Sequence, residues 1–222
     1  FDPAADTFTI QVMRPAGPGV ATVTVDEVTG AARGTGNQTY VAPAGPRRFD
    51  FGTTTSPVQA GYTQIAPTTM YSATGGWGWL NSTQAVDRGA LAGAQFPNLI
   101  RDSAYAWSAG QFRVDLAPAS TYEVTVTLGD TEARDGVNVT YSVDGGTTWL
   151  NGVLGVNTNV GERTHRTFNV TTGGTGSLIV QIADGGGSFS LWSLGAMEIR
   201  AAVTPFTMSS IGSVGADGST VD

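Results

Sequence analysis

Apolar and polar side chains alternate with a period of two through the middle of the chain, and that period predicts strands. Gln111–Leu116 sets Phe112, Val114 and Leu116 against Gln111, Arg113 and Asp115. Thr121–Leu128 sets Tyr122, Val124, Val126 and Leu128 against threonines and Glu123, and Pro118 between the two runs predicts that they form an antiparallel hairpin. Val137–Val143, Leu150–Val156, Thr164–Val170, Ser177–Ala183, Phe189–Trp192 and Leu194–Ile199 read as further strands, separated by glycine-rich turns. Phe49-Asp50-Phe51-Gly52 is a short strand, and Thr83–Asn98 reads as a polar loop. Upstream, Thr7–Val12 and the β-branched run Val20–Val28 read as two strands; Gly30–Gln38 reads as a loop and Thr39–Val41 as a short strand.

No helical period competes with this pattern, so the expected architecture is all-β: an antiparallel β-sandwich over 47–201. Residues 1–46 supply an extra N-terminal pair of strands that packs on the main domain, completes another domain's sheet as an exchange segment, or belongs to a preceding module, and 202–222 read as a Gly/Ser-rich tail or linker. The expected core is Phe49, Phe51, Phe112, Val114, Tyr122, Val124, Val126, Val139, Tyr141, Ile179, Val180, Ile182 and Ile199, with Ile179 and Val180 on opposite faces because they are adjacent.

Ser142-Val143-Asp144-Gly145-Gly146-Thr147-Thr148-Trp149 matches the S-x-D-x-G-x-T-W pattern of an Asp-box turn. The aspartate is expected to fold back on backbone N–H groups, with the tryptophan packed beneath. The pattern occurs once, which excludes a propeller built on its repetition.

Composition narrows the function. The chain of 222 residues has no cysteine and carries a net charge of −7. All its basic residues are arginine, with no basic stripe, so nothing points to nucleic acid. No apolar run approaches a membrane span. The polar, lysine-free, Thr- and Gly-rich composition suits an extracellular or cell-surface setting, and the lack of an initial methionine reads as a mature product or a piece of a longer chain. Catalytic signatures are missing: there is no nucleophile elbow near the single histidine, His165, and no Cys/His metal spacing, so no enzyme activity is expected. No cofactor is required, although Asp130, Asp135 and the Asp184-Gly185 turn offer oxygens for a structural calcium.

Trp77 and Trp79, flanked by Gly75, Gly76 and Gly78, share one side of an extended segment. Two readings stand: core filling, or an apolar platform on which a sugar ring stacks.

Several motifs carry a resemblance. Phe49-Asp50-Phe51-Gly52, then SPVQAGYTQI (56–65), YSATGGWGWL (71–80), Asp87-Arg88, Arg101-Asp102, the Gly110–Leu116 and Thr121–Leu128 strands, Gly129-Asp130 and a closing strand at Leu194–Ile199 follow one another in an order. That order resembles the galactose-binding-like jelly-roll domains attached to secreted polysaccharide esterases and lyases and found in large modular bacterial surface proteins. Many of those domains place a His-Asp pair after the Gly-Asp; here the segment reads Glu132-Ala133-Arg134-Asp135. The resemblance implies a jelly roll and a non-catalytic carbohydrate-binding module whose partner is a polysaccharide or glycan. Trp77, Trp79 and Trp107 would stack on the ring, and Arg101, Asp102 and Asp130 would hydrogen-bond its hydroxyls. It also implies a structural calcium, with Asp130 and Asp135 as candidate ligands. A second reading is a structural subunit of a fibre, adhesin or surface layer, in which copies of the chain associate by strand addition through the N-terminal strands.

Overall fold

The computed structural model describes residues 19–26, 33–40, 45–89 and 96–202. They fall into two units: an N-terminal hairpin and the body from Gly45 to Ala202. In the hairpin, β1 (Gly19–Asp26) pairs antiparallel with β2 (Arg33–Tyr40), in register from Gly19–Tyr40 to Asp26–Arg33. The segment 33–38, expected to be loop, is therefore strand. Backbone pairing needs only free N–H and C=O groups on both sides, which the glycines of this run also supply. The expected strand Thr7–Val12 lies outside the described residues.

The body is two sheets packed face to face, the β-sandwich that the alternating pattern predicted and the jelly roll that the resemblance implied. The smaller sheet runs in the order β11 (Leu150–Thr158), β10 (Arg134–Ser142), β13 (Ser177–Asp184), β8 (Gly110–Asp115), β5 (Trp77–Trp79). The larger runs β12 (Thr164–Thr171), β9 (Thr121–Leu128), β14 (Trp192–Ala201), β3 (Arg47–Phe51), β4 (Thr63–Ile65). A pair made of β6 (Gln84–Asp87) and β7 (Asp102–Ala106) joins the larger sheet through β14. All pairings are antiparallel except β3 with β4.

The core lies between the sheets. Phe112, Val114, Val139, Leu178, Val180 and Ile182 enter from the smaller sheet, and Phe49, Phe51, Val124, Val126, Leu128, Met197 and Ile199 from the larger. Tyr122 and Tyr141 are only partly buried against it. Val180 faces the core while Ile179 turns to the other face, near Gly146 of the Asp-box turn. On β14 the apolar alternation changes phase: Trp192 and Leu194 face the core, then Met197 and Ile199 do. A register shift between Leu194 and Ala196 accounts for it, since a bulge adds one residue and moves the following side chains to the other face.

Three expectations are corrected. Gly110–Leu116 and Thr121–Leu128 do not form a hairpin: β8 pairs with β13 and β5, and β9 with β12 and β14, in opposite sheets. The turn between them carries Ala119 at φ 49° and is held by Leu116 N–H to Gly176 O and Ala119 N–H to Gly173 O. It thus crosses between layers. Gln84–Asp87, within the expected loop, is the edge strand β6, paired from Gln84–Tyr105 to Asp87–Asp102. Phe189 lies outside any strand, half-exposed, and the closing strand is a single run from Trp192.

In the Asp-box turn the aspartate folds back on backbone N–H groups as expected, and Trp149 is half-buried. Asp144 Oδ1 accepts from Ser142 Oγ (2.7 Å) and from the N–H groups of Thr147 (3.1 Å) and Thr148 (2.9 Å), and Ser142 Oγ accepts from Gly146 N–H (2.8 Å).

Candidate functional site

Trp79 is completely buried, edge-on to Phe112 at 5.3 Å and packed on Phe51 at 5.3 Å and Trp192 at 6.2 Å. Trp77 lies half-buried over Phe49 at 5.8 Å. Between them, Gly78 adopts φ 144°, and a side chain there would overlap the backbone of Met70 and Tyr71. That close approach lets Trp79 N–H reach Thr69 O and Tyr71 N–H reach Trp79 O, both at 2.9 Å, which fixes both indoles inward. The two indoles do share one side, but it is the core side. The expectation that Trp79 and Trp77 make an open stacking platform is corrected: core filling takes Trp79 wholly and most of Trp77.

Trp107 is the exposed tryptophan of the set, at 64%. It follows β7 directly, at the end of the sandwich where β14 begins, and stands edge-to-face on Tyr105 at 6.3 Å. Its short turn is pinned: Ser108 O accepts from Trp192 Nε1 (2.7 Å), and Asn81 bridges Ala109 O and Gln111 N–H. Tyr105 donates its hydroxyl to Gln84 Oε1 at 2.9 Å. An exposed indole on a braced strand end can stack without first being ordered.

A network of charge centres on Asp130. Arg88 donates to both oxygens of Asp130, each at 3.1 Å, and Arg134 Nη2 donates to Asp130 Oδ2 at 2.7 Å. Thr131 N–H adds 2.6 Å to Oδ1, and Arg163 Nη2 stands 3.8 Å away. Burial pushes the Asp130 carboxyl up. The hydrogen bonds from Arg88 and Thr131 and the charges of Arg88 and Arg134 outweigh it and hold the group below its ordinary range. Arg88 is raised chiefly by its hydrogen bond to Asp130, with Glu132 and Tyr105 also near enough to contribute, so Tyr105 stands close to this network. Arg101 grips Asp87 with two bonds, 2.9 and 2.7 Å. Arg88 and Glu132 keep part of their surface in solvent, whereas Asp130 is sealed.

The six expected ligand residues are therefore not one surface. Trp107 is exposed, and Arg101 is partly exposed but held by Asp87. Asp130 and Asp102 are buried, so neither meets a sugar hydroxyl directly. Asp102 lies at the start of β7, beneath Gly52. Tyr105, which stacks edge-to-face on Trp107, Gln84, which binds Tyr105, and Arg88 and Glu132 of the charge network were missed. The alternating aromatics Tyr105 and Trp107 were the signal for the first of them.

The calcium expectation does not fit these residues. Asp130 is ringed by guanidinium groups whose charge repels a cation. Asp135 is taken by the N–H groups of Ser188 (2.6 Å) and Phe189 (3.0 Å), and Asp184 by that of Gly186 (3.0 Å). Among the described residues no group of three or more His, Cys, Asp or Glu side chains could hold a metal. His165 shares a hydrogen bond with Thr127 Oγ1 (2.9 Å) through Nδ1, on the edge strand β12.

The antiparallel jelly roll is the fold of a galactose-binding-like domain. The model of one family, the β-agarase/YxiM esterase-like, galactose-binding domain-like family, matches residues 47–200, and the chain belongs to that family. Over 155 residues, 69% of the chain, it is 35% identical to β-agarase A of Zobellia galactanivorans, and the match spans 26% of that protein's length. Protein YxiM of Bacillus subtilis superposes with a TM-score of 0.51 at 24% identity, covering 73% of this chain and 42% of that one. The plant receptor-like kinase ANX2 shares the fold at a TM-score of 0.50 and 11% identity, over 71% and 48% of the two chains.

Proposed function

We propose that the chain is a non-catalytic glycan-binding module of a secreted or cell-surface carbohydrate-active protein, and that it holds a polysaccharide at the end of the sandwich marked by Trp107. The observation that carries this reading is the exposure of Trp107 on a strand end that hydrogen bonds fix from three sides. An indole face suits the apolar face of a sugar ring. Next to it, Tyr105 and Gln84 offer a hydroxyl and an amide to ring hydroxyls. Membership in a family described by β-agarases and galactose-binding domains supports a galactose-containing polysaccharide as the ligand class. The partner enzyme, in this reading, supplies the chemistry, and the module keeps it at its substrate.

The test is a screen of the chain against immobilised polysaccharides, agarose and other galactans beside glucans and xylans. Retention on one class with release by its oligosaccharides supports the reading. Uniform failure to bind any of them contradicts it.

A further inference from the structure

Two carboxylates are buried where β3 ends and β7 begins, beside the loop after β3. Strands β3 and β7 lie end to end along one flank of β14, and Asp50 near the end of the first and Asp102 at the start of the second are each 2% exposed. Gly52 makes the approach feasible, because any side chain there would overlap the Asp102 carboxylate. Asp50 Oδ2 accepts the N–H of Gln59 at 2.7 Å. The loop is held by Thr53 and Ser56, whose hydroxyls stand 2.6 Å apart, and by Gln64, which donates to the carbonyls of both. One oxygen of each carboxylate, Oδ1, is shut off from solvent with no hydrogen-bond partner in the protein.

The surrounding charges do not neutralise the pair. From β6 the facing group is Asp87, and from the turn before β7 it is Arg101, which already donates both its bonds to Asp87. The loop contributes Tyr62. The positions of β14 and β4 alongside are Gly195, Ala196 and Gln64, which carry no charge, and the next pair along the same face of β3 and β14, Arg48 and Glu198, bonds to itself at 2.9 Å. Two ionised carboxylates in such a place are costly, since burial and mutual repulsion both favour the neutral acid. Burial pushes Asp50 up to about 6, against the Gln59 hydrogen bond. Burial, with help from Asp50 and Asp87, pushes Asp102 up to about 7, against Ser56 and Arg101.

We propose that Asp50 and Asp102 are a proton-holding pair that clamps β7 to β3 in mildly acid solution and loosens the junction as the solution turns alkaline. The clamp acts on the strand that carries Tyr105, with Trp107 one residue beyond it, yet the inference does not rest on glycan binding. A carboxyl whose folded value is raised stabilises the fold most when protonated, and that contribution is lost as pH rises through the folded values, about 6 and about 7. Asp87, Asp130 and Asp144 are shifted the other way, so above pH ~5 they are ionised in both states and drop out of the comparison.

The experiment is urea unfolding of the full chain at pH ~5 and pH ~8 without glycan, with the single histidine removed by His165→Gln in every sample. The midpoint is expected to be higher at the acid pH, and Asp102→Asn, or Asp50→Asn if the first does not fold, is expected to shrink the difference while leaving the alkaline midpoint no lower. Equal midpoints in the parent overturn the proposal, as does a variant that keeps the full difference. A rise of the alkaline midpoint to the acid value on adding calcium also overturns it, because the pair would then be a metal site rather than a proton holder.

Discussion

Gly52 and Asp102, fifty residues apart in sequence, meet so closely that the glycine's missing side chain is the space the carboxylate occupies. The Phe49-Asp50-Phe51-Gly52 opening and the Arg101-Asp102 pair are thus two halves of one junction between β3 and β7. Gly52→Ala is expected to destabilise the domain by about 1–3 kcal/mol, the usual cost of overpacking a filled site. In an Asp102→Ala background the same change should cost clearly less, because its obstacle is gone. A double-mutant cycle by urea unfolding checks the coupling, and additive effects would disprove the contact.

The tryptophans should divide by burial. Trp79→Ala removes a fully buried indole from the Phe51–Phe112–Trp192 cluster and is expected to cost about 3–5 kcal/mol. Trp107→Ala touches mainly solvent and should change stability by about 0.5 kcal/mol or less. Thermal melts of the two variants make the comparison.

Asp130 is the buried carboxylate that Arg88 and Arg134 bind and Arg163 approaches, while the exposed Glu132 also reaches Arg88 and Arg134. Asp130→Asn keeps the shape but leaves guanidinium groups without their counter-charge. Loss of about 3–5 kcal/mol is expected, as for other buried pairs broken on one side. Urea unfolding reads it, and a near-neutral variant would mean that solvent or Glu132 replaces the charge.

Acid should test the Asp-box turn. Hydrogen bonds from Thr148, Ser142 and Thr147 hold Asp144 down at about 2. Because the folded value lies below the ordinary one of 3.8, the turn's contribution is present above that value and is lost as pH falls through about 2. Asp144→Ala should therefore lower the melting temperature at neutral pH, and the gap to the parent should close in strong acid. A gap that persists unchanged would assign the effect to something other than the ionised carboxylate.

The fold was legible wherever one face of a strand is buried and the other wet. Val124 and Val126 against Glu123 and Thr125 needed no structure to be placed. Pro118 announced a turn, but turn chemistry does not say whether the chain returns beside itself or crosses to the other layer, and the β8–β9 hairpin was misread for that reason. The site was less legible. Glycines around Trp77 and Trp79 look like missing cover, but at Gly78 the glycine admits neighbouring backbone that drives the indoles inward. Asp102 and Asp130 sit in polar motifs, and their burial depends on partners as distant as Gly52, Arg88 and Arg163, which no local pattern reveals.

The glycan-binding account stands on Trp107, and comparing parent and Trp107→Ala by affinity electrophoresis through a gel containing the polysaccharide that the screen selects tests it most directly. The parent should be retarded, and the variant should lose about 30-fold or more in affinity, the effect of removing a central stacking residue, with an unchanged melting temperature. A variant that folds normally and is retarded as strongly as the parent would contradict the account.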